Sequence, residues 1–505
     1  MKEMILSFNF GYIWMKQKTN DMIKKSLSVL CISALMALLL SGNPGVLAQV
    51  STWPVPAGEQ VSPDYTVEVN DKPVEVYAFP VDKRWAGGSY NFGSEYSVVQ
   101  FNFEGAVRVR VRSTRHNLSE TEIMPASSGI KPEIMDQRTV EFSLTKPQKL
   151  SFEPDGRKRP LLLFANAIAQ EVPEKDDPDV IYFGPGLHKP KGGVIKLESN
   201  QTLYIAGGAV VEAGVIAEDA ENVTICGHGM ISGGDYPWRD GPTRRPIQFI
   251  RCRHVRMKDV IVRGQWEWAI VPIDCDDVTI ENVKVCGLRV RMNDDGINPC
   301  NSRDVIIRNC FIRTADDCIA LKGLNLEYGD LNNIRIENCI LWSDVARVTL
   351  LGHECRARNM SNIRYSNIDV IHAGRWPIIM IEISDHLKLS NVVFEDIRVR
   401  GEVLPWLDYP PNTDGQEWLA VIRPFITQYS SEDRRWGSIE DLTLKDIQVK
   451  GVPGKYAVLL EGAPNHRNRR IKNIVFDNVI IQGEKLTNNS LRMWMGPWVR
   501  PALDS

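Results

Sequence analysis

The sequence predicts an all-β protein: a right-handed parallel β-helix preceded by a small N-terminal β-sandwich. The first sign is a nine-residue pattern of Asn/Asp, aliphatic, any, apolar, any, Asn/Asp, apolar, any, apolar. Asp277-Val278-Thr279-Ile280-Glu281-Asn282-Val283-Lys284-Val285 shows it, and further copies start at His254, Asp304, Asn333, Asn362, Asn391, Asp441 and Asn473. Copies recur every 23 to 32 residues with one longer gap, which is the period of a solenoid. The second sign lies inside each copy. Val, Ile and Phe alternate at period two, which suits a pleated strand buried on one face, and helical spacing is absent.

The sixth position of the pattern (Asp259, Asn282, Asn309, Asn338, Asn367, Asp396, Asp446, Asn478) falls where a coil must turn. Asn and Asp bond the local backbone there and tolerate left-handed dihedrals. Coils that all run the same way make parallel neighbours about 4.8 Å apart, with the usual right-handed connection. Cys310 and Cys339 stand at the position held elsewhere by Val260, Val283 and Ile368, so they read as small core hydrophobes. No Cys/His spacing suggests zinc.

Ahead of the coils, Tyr65–Val69, Val74–Phe79, Ser97–Phe103, Val107–Val111 and Thr139–Leu144 alternate like antiparallel strands between Gly, Pro and Asn. This predicts a sandwich over residues 49–171, with the Pro- and acid-rich stretch from Val172 to Asp179 as the border and the β-helix over 172–505. The extreme N-terminus has Lys24-Lys25, an apolar run from Leu27 to Leu40, and Val46-Leu47-Ala48 before Gln49. That is the pattern of a signal peptide over residues 1–48, too short for a comfortable membrane span. A secreted or periplasmic location follows, with no membrane span in the mature chain. With 505 residues, 43% apolar, and a net charge of -3, the chain has room for two domains, and no basic stripe suggests a nucleic-acid partner.

The chemistry concentrates in two turns about one coil apart, Asn293-Asp294-Asp295-Gly296 and Ala315-Asp316-Asp317-Cys318. Counted from the end of each repeat, the turns carrying Trp266-Glu267-Trp268, Asp316-Asp317, Asp344 with Arg347, and Arg375-Trp376 superpose. The Asp295 loop is four or five residues longer and can project over the Asp pair. Carboxylates a few to about 10 Å apart on neighbouring rungs repel, so at least one keeps its proton near neutrality. The set supplies an acid and a base, the pairing an inverting glycosidase needs. Residues alone leave open that Asp316 and Asp317 cap a turn or bind calcium. Trp268 and Trp376 stand beside the acids, where a flat indole can stack on a sugar; Glu267 reads as a solvated turn residue.

Asn293-Asp294-Asp295-Gly296-Ile297-Asn298-Pro299 and Ala315-Asp316-Asp317-Cys318-Ile319-Ala320-Leu321-Lys322 resemble the signature of the polygalacturonase-like pectin hydrolases. The 21 residues from Asp295 to Asp316 match that family's spacing. The resemblance spans roughly Val180 to Gly483, and the N-terminal sandwich is also similar to the dextranase and isopullulanase family. It implies a pectin-lyase-like right-handed β-helix, inverting hydrolysis of a polysaccharide or its oligosaccharides, no cofactor and no metal. By position, Asp316 would be the general acid and Asp295 and Asp317 would activate water. The sequence departs from the family at its Gly-His-Gly, where Ala346 or Arg347 stands, with His353 about six residues late. It departs again at the family's Arg-Ile-Lys, matched by Met380-Ile381-Glu382. Arg347, His353, Arg375, Trp376, Glu382 and Trp268 are the expected substrate contacts. A Glu at 382 would repel a uronate, so neutral sugars are expected over homogalacturonan. A polysaccharide lyase and a non-catalytic carbohydrate-binding β-helix are the rival readings, and the oligomeric state stays open.

Overall fold

A Val-, Ile- and Leu-rich pattern broken by Asx residues folds into coils because those residues can turn without glycine. In the computed structural model, both Asx rows adopt the left-handed conformation: Asp259, Asn282, Asn309, Asn338, Asn367, Asp396, Asp446 and Asn478 have φ between 51° and 72°. The first position of the pattern does the same, from His254 (φ 54°) to Asn473 (φ 55°). Their amides then bond along the stack, as in Asn282 Nδ2 to Asp259 Oδ1 at 2.8 Å and Asn478 Nδ2 to Asp446 Oδ1 at 2.7 Å. Such side chains satisfy a neighbour one coil away and help pin the register.

The structure describes residues 48–81, 94–169, 172–287, 292–374, 376–402, 417–431, 435–451, 456–463, 471–496 and 499–500. The expected signal segment up to residue 47, Arg375, and residues 403–416 lie outside them. Everything described from Val50 onward lies in one compact unit. From Val180, parallel strands stack as a right-handed β-helix: one long sheet bends around two faces, and two shorter sheets form the third. The interior is a single apolar stack running from Ile195 to Met493. All nine described cysteines are free, and Cys310 and Cys339 lie in that stack, as their repeat position predicts.

The N-terminal part forms two sheets. Tyr65–Val69, Lys72–Val74, Val107–Ser113, Glu133–Asp136 and Thr139–Leu144 pair antiparallel. The other sheet contains one pair unlike the expected antiparallel weave, Leu161–Ala167 running parallel to Glu95–Glu104. This second sheet lies on the helix. Phe79, Tyr96, Val98, Leu162 and Phe164 share a core with Val210, Met230, Ile261, Phe311, Trp342 and Ile371.

Polar groups are also buried in this seam. Arg313 and Asp344 are fully buried, with Arg313 Nε donating to Asp344 Oδ2 at 3.1 Å and Trp342 Nε1 donating to Asp344 Oδ1 at 2.8 Å. The Arg313 guanidinium lies over the Trp342 and Tyr96 rings, at 3.8 and 4.4 Å. Arg157 donates to Glu402 Oε2 and to the Ala373 carbonyl, both at 2.6 Å. His372 sits between Glu153 and Glu402. The network underpins the acid-bearing turn, because Thr314 Oγ1 donates to the Asp316 carbonyl at 2.7 Å and Ser343 Oγ to the same oxygen at 3.3 Å.

Candidate active site

One ladder builds the site. Ile247 pairs with Ile270, Ile270 with Ile297, Ile297 with Ile319, Ile319 with Thr349, and Thr349 with Ile379. Two places earlier on successive rungs stand Arg245, Trp268, Asp295, Asp317, Arg347 and Pro377. Backbone bonds hold this row in step: Ala269 N to Asp295 O, Gly296 N to Asp317 O and Cys318 N to Arg347 O, at 2.9, 2.9 and 3.1 Å. One place earlier again run Glu267, Asp294, Asp316, Ala346 and Trp376. The turns superpose to within one place per rung of the count along the sequence. Thr314 pairs with Ser343 but Ile319 with Thr349, and the pairing slips again between Leu341 and Trp342. Arg347 is thus the residue one rung beyond Asp317.

The long loop does reach the Asp pair. Asn293 N donates to Asp316 Oδ2 and Ala315 N to Asp294 Oδ2, both at 2.9 Å. Asp317 N donates to Asp316 Oδ1 at 3.0 Å. Asp295 and Asp317 are 1% and 2% exposed, while Asp316 keeps a half-buried edge.

Among the described residues, two cations serve these three acids. Arg347 meets Asp317 Oδ1 with its backbone N–H at 3.1 Å and with Nη1 at 3.4 Å. Lys322 Nζ lies 3.5 Å from Asp295 Oδ2 and 3.4 Å from Glu354 Oε2, and Asn298 Nδ2 donates to Asp295 Oδ2 at 2.8 Å. Burial pushes the Asp295 carboxyl well above the ordinary range; Lys322 opposes the rise, and Asp316 and Asp317 add to it. Burial and then the Asp317 charge raise Asp316 against the pull of Arg347. Burial works against the Lys322 ammonium, but Glu354, Asp295 and Asp317 overcome it and keep it charged.

The repeat pattern assigns no role to Lys322 or Glu354, although Lys322 ends the segment Ala315–Lys322. A β-bulge explains the omission. Leu321 pairs with Leu351 but Gly323 with Cys355, so the later strand carries two extra residues and the simple alternation fails. The bulge is built on Gly352 at φ 112°, where a Cβ would meet the Glu382 carbonyl at 2.0 Å. It swings Glu354 to Lys322 and His353 to Glu382.

That geometry corrects the electrostatic reading of Glu382. The expectation was a bare carboxylate facing a sugar. Instead Glu382 is buried, accepts from Arg423 Nε and Nη2 at 2.9 and 2.7 Å, and is bonded by His353 Nε2. Against the cost of burial, His353 and Arg423 hold its carboxyl below the usual value. Its charge is thus met by Arg423 rather than left bare. His353 also stacks on Tyr429, with centroids 6.0 Å apart.

Of the two tryptophans, Trp376 is 40% exposed with Arg347 Cζ 4.6 Å from its ring. Trp268 is buried, with Lys322 Nζ at 4.0 Å and Arg245 Cζ at 4.2 Å from its ring. Glu267 is 7% exposed rather than solvated, because its turn is covered by the next rung. Arg375 lies outside the described residues.

Residues 186–343 match the glycosyl hydrolases of family 28. A probable polygalacturonase of Arabidopsis thaliana is 30% identical over 111 residues, 22% of this chain and 24% of that relative. The isopullulanase of Aspergillus niger is 24% identical over 290 residues, 47% of this chain and 49% of that one. The chain thus spans at most about half the length of these two curated relatives. Among solved structures, Dex49A from Penicillium minioluteum superposes with a TM-score of 0.57 at 14% identity, over 90% of this chain and 96% of that one. The chain therefore shares its fold with Dex49A, and the segment that carries all three acids resembles the family 28 glycosyl hydrolases.

Proposed function

We propose that the chain is an exported glycoside hydrolase that cleaves a polysaccharide or its oligosaccharides with inversion. The observation that supports this most is the split among three carboxylates on adjacent rungs. Asp317 holds Arg347, while Asp295 and Asp316 are both pushed towards the protonated form. Asp295 and Asp316 interact across adjacent rungs, so one proton is retained on that pair while a carboxylate remains. Asp316, with the exposed edge, delivers that proton to the glycosidic oxygen as general acid. Asp295 and Asp317 take the proton of the attacking water, and Lys322 favours the ionised form of Asp295 that can accept it. The resemblance to family 28 over the same residues points the same way.

With Glu382 balanced by Arg423 and His353, the sugar at the cleavage subsite is not decided by that residue. A panel of neutral and acidic polysaccharides with product sizing identifies it, and NMR of the first-formed anomer reads the stereochemistry. A product of inverted configuration is expected. A retained anomer would remove the inverting mechanism, and an unsaturated product absorbing in the ultraviolet would replace hydrolysis by elimination. Export is read from N-terminal sequencing of the protein recovered outside the cytoplasm, with a start near Gln49 expected.

A further inference from the structure

The row that carries the acids also carries a cation left without a counter-charge. Arg245 stands two rungs before Asp295, about 10 Å along the stack, and is 3% exposed. Its Nε is buried with no hydrogen-bond partner, and its guanidinium makes no ion pair among the described residues. Glu267 and Asp295 act on it only at longer range, and burial works against its charge. Among the described residues, the cations Lys322 and Arg347 beside the acids are both paired. Beside Arg245, the indole Nε1 of Trp268 is a second buried donor without a partner.

A buried arginine normally has a carboxylate, since leaving one uncompensated is strongly destabilising. Here the backbone is nevertheless held firmly: Thr243 Oγ1 donates to the Arg245 carbonyl at 2.6 Å, and Trp266 Nε1 donates to the Thr243 carbonyl at 2.9 Å. Two fixed, unspent donors on the outward row of a glycan-cleaving face match an acceptor supplied from outside.

We propose that Arg245, with Trp268, binds an anionic substituent, a carboxylate or a sulfate ester, on a sugar unit lying to the N-terminal side of the scissile bond. The proposal rests on the reading of this face as a glycan site. The guanidinium fork suits either group. The two-rung offset from Asp295 places the recognised charge on a neighbouring unit rather than at the cleaved one, so a polymer mixing neutral and acidic sugars fits the site.

Equilibrium binding separates this proposal from catalysis, because it needs no turnover. Oligogalacturonates, sulfated galactan oligosaccharides and neutral galactan oligosaccharides of equal length are titrated calorimetrically into the full chain and into Arg245→Gln. The expected result is tighter binding of one anionic series than of the neutral one, with that preference falling roughly tenfold or more in Arg245→Gln and partly restored in Arg245→Lys. The favoured series distinguishes carboxylate from sulfate. No preference for either anionic series in the unaltered chain would overturn the proposal, as would a preference that survives in Arg245→Gln. Equal weakening of anionic and neutral ligands would assign Arg245 a structural role and also overturn it. Selective anion binding without hydrolysis of any polymer would leave the proposal standing and remove the hydrolase reading.

Discussion

Asp316 and Arg313 are three residues apart, yet they belong to two clusters of buried charge that behave in opposite ways. In the seam under the sandwich, Glu153, Asp344 and Glu402 face Arg157, Arg313, His372 and Arg400. In the row, Asp295, Asp316, Asp317 and Glu354 share Lys322 and Arg347. Burial pushes carboxyls upward in both places. In the seam, His372 and Arg157 overcome it and Glu402 is held far below the usual value. In the row they do not, and Asp295 and Asp316 rise. Among the described residues, what separates the two clusters is the supply of cations rather than the degree of burial.

The largest effect should come from the row. Asp316→Asn is expected to lower turnover by at least about 10³-fold, within the range for losing a general acid, while the fold survives. Reducing-end release on the best substrate measures it, and a variant keeping a tenth of the rate would end the assignment. In the seam the loss should be of stability. Asp344→Ala leaves Arg313 and Arg157 buried with fewer partners and is expected to cost about 3–5 kcal/mol in denaturant unfolding. A loss below about 1 kcal/mol would mean that the seam is no stronger than a surface pair.

The two clusters should also give stability opposite dependence on pH. Glu402 has a depressed carboxyl, so its contribution is present above the ordinary value near 4.3 and is lost as pH falls through the folded-state value. Asp295 has a raised carboxyl, so its contribution is present below about 3.9 and is lost as pH rises through the folded-state value. Glu402→Gln should flatten the acid limb of a melting-temperature profile, and Asp295→Asn the limb on the neutral side. Both variants flattening the same limb would collapse the comparison. The smallest effect is expected at Trp376→Ala, where loss of an exposed stacking face should raise KM about two- to tenfold, the range of about 0.5–1.5 kcal/mol for an aromatic contact, with kcat nearly unchanged.

The β-helix was legible because both Asx rows and the apolar alternation are local patterns repeated many times. The acids were legible because their turns lie in nearly regular coils, where counting from one repeat to the next gives the register to within one residue. Arg245 was not, since its coil precedes the first clear repeat at His254 and nothing in the sequence ties it to Trp268 one rung on. Lys322 and Glu354 were hidden by the bulge at Gly352, which breaks the count. Glu382 was placed on its rung, but its partner Arg423 comes from the next strand across a long insertion, and a residue's charge says little until its neighbours are known.

The bulge also shows how such a molecule can change its chemistry. Two additional residues enter between Leu351 and Cys355, and the pairing resumes at Gly323 with Cys355. Later coils keep their stacking, with Leu351 on Ile381 and Ile381 on Ile422. An insertion is therefore absorbed within the strand where it arises. Each coil behaves as a separately editable cassette, able to gain or lose a contact on the outward face while the shared interior stays the same.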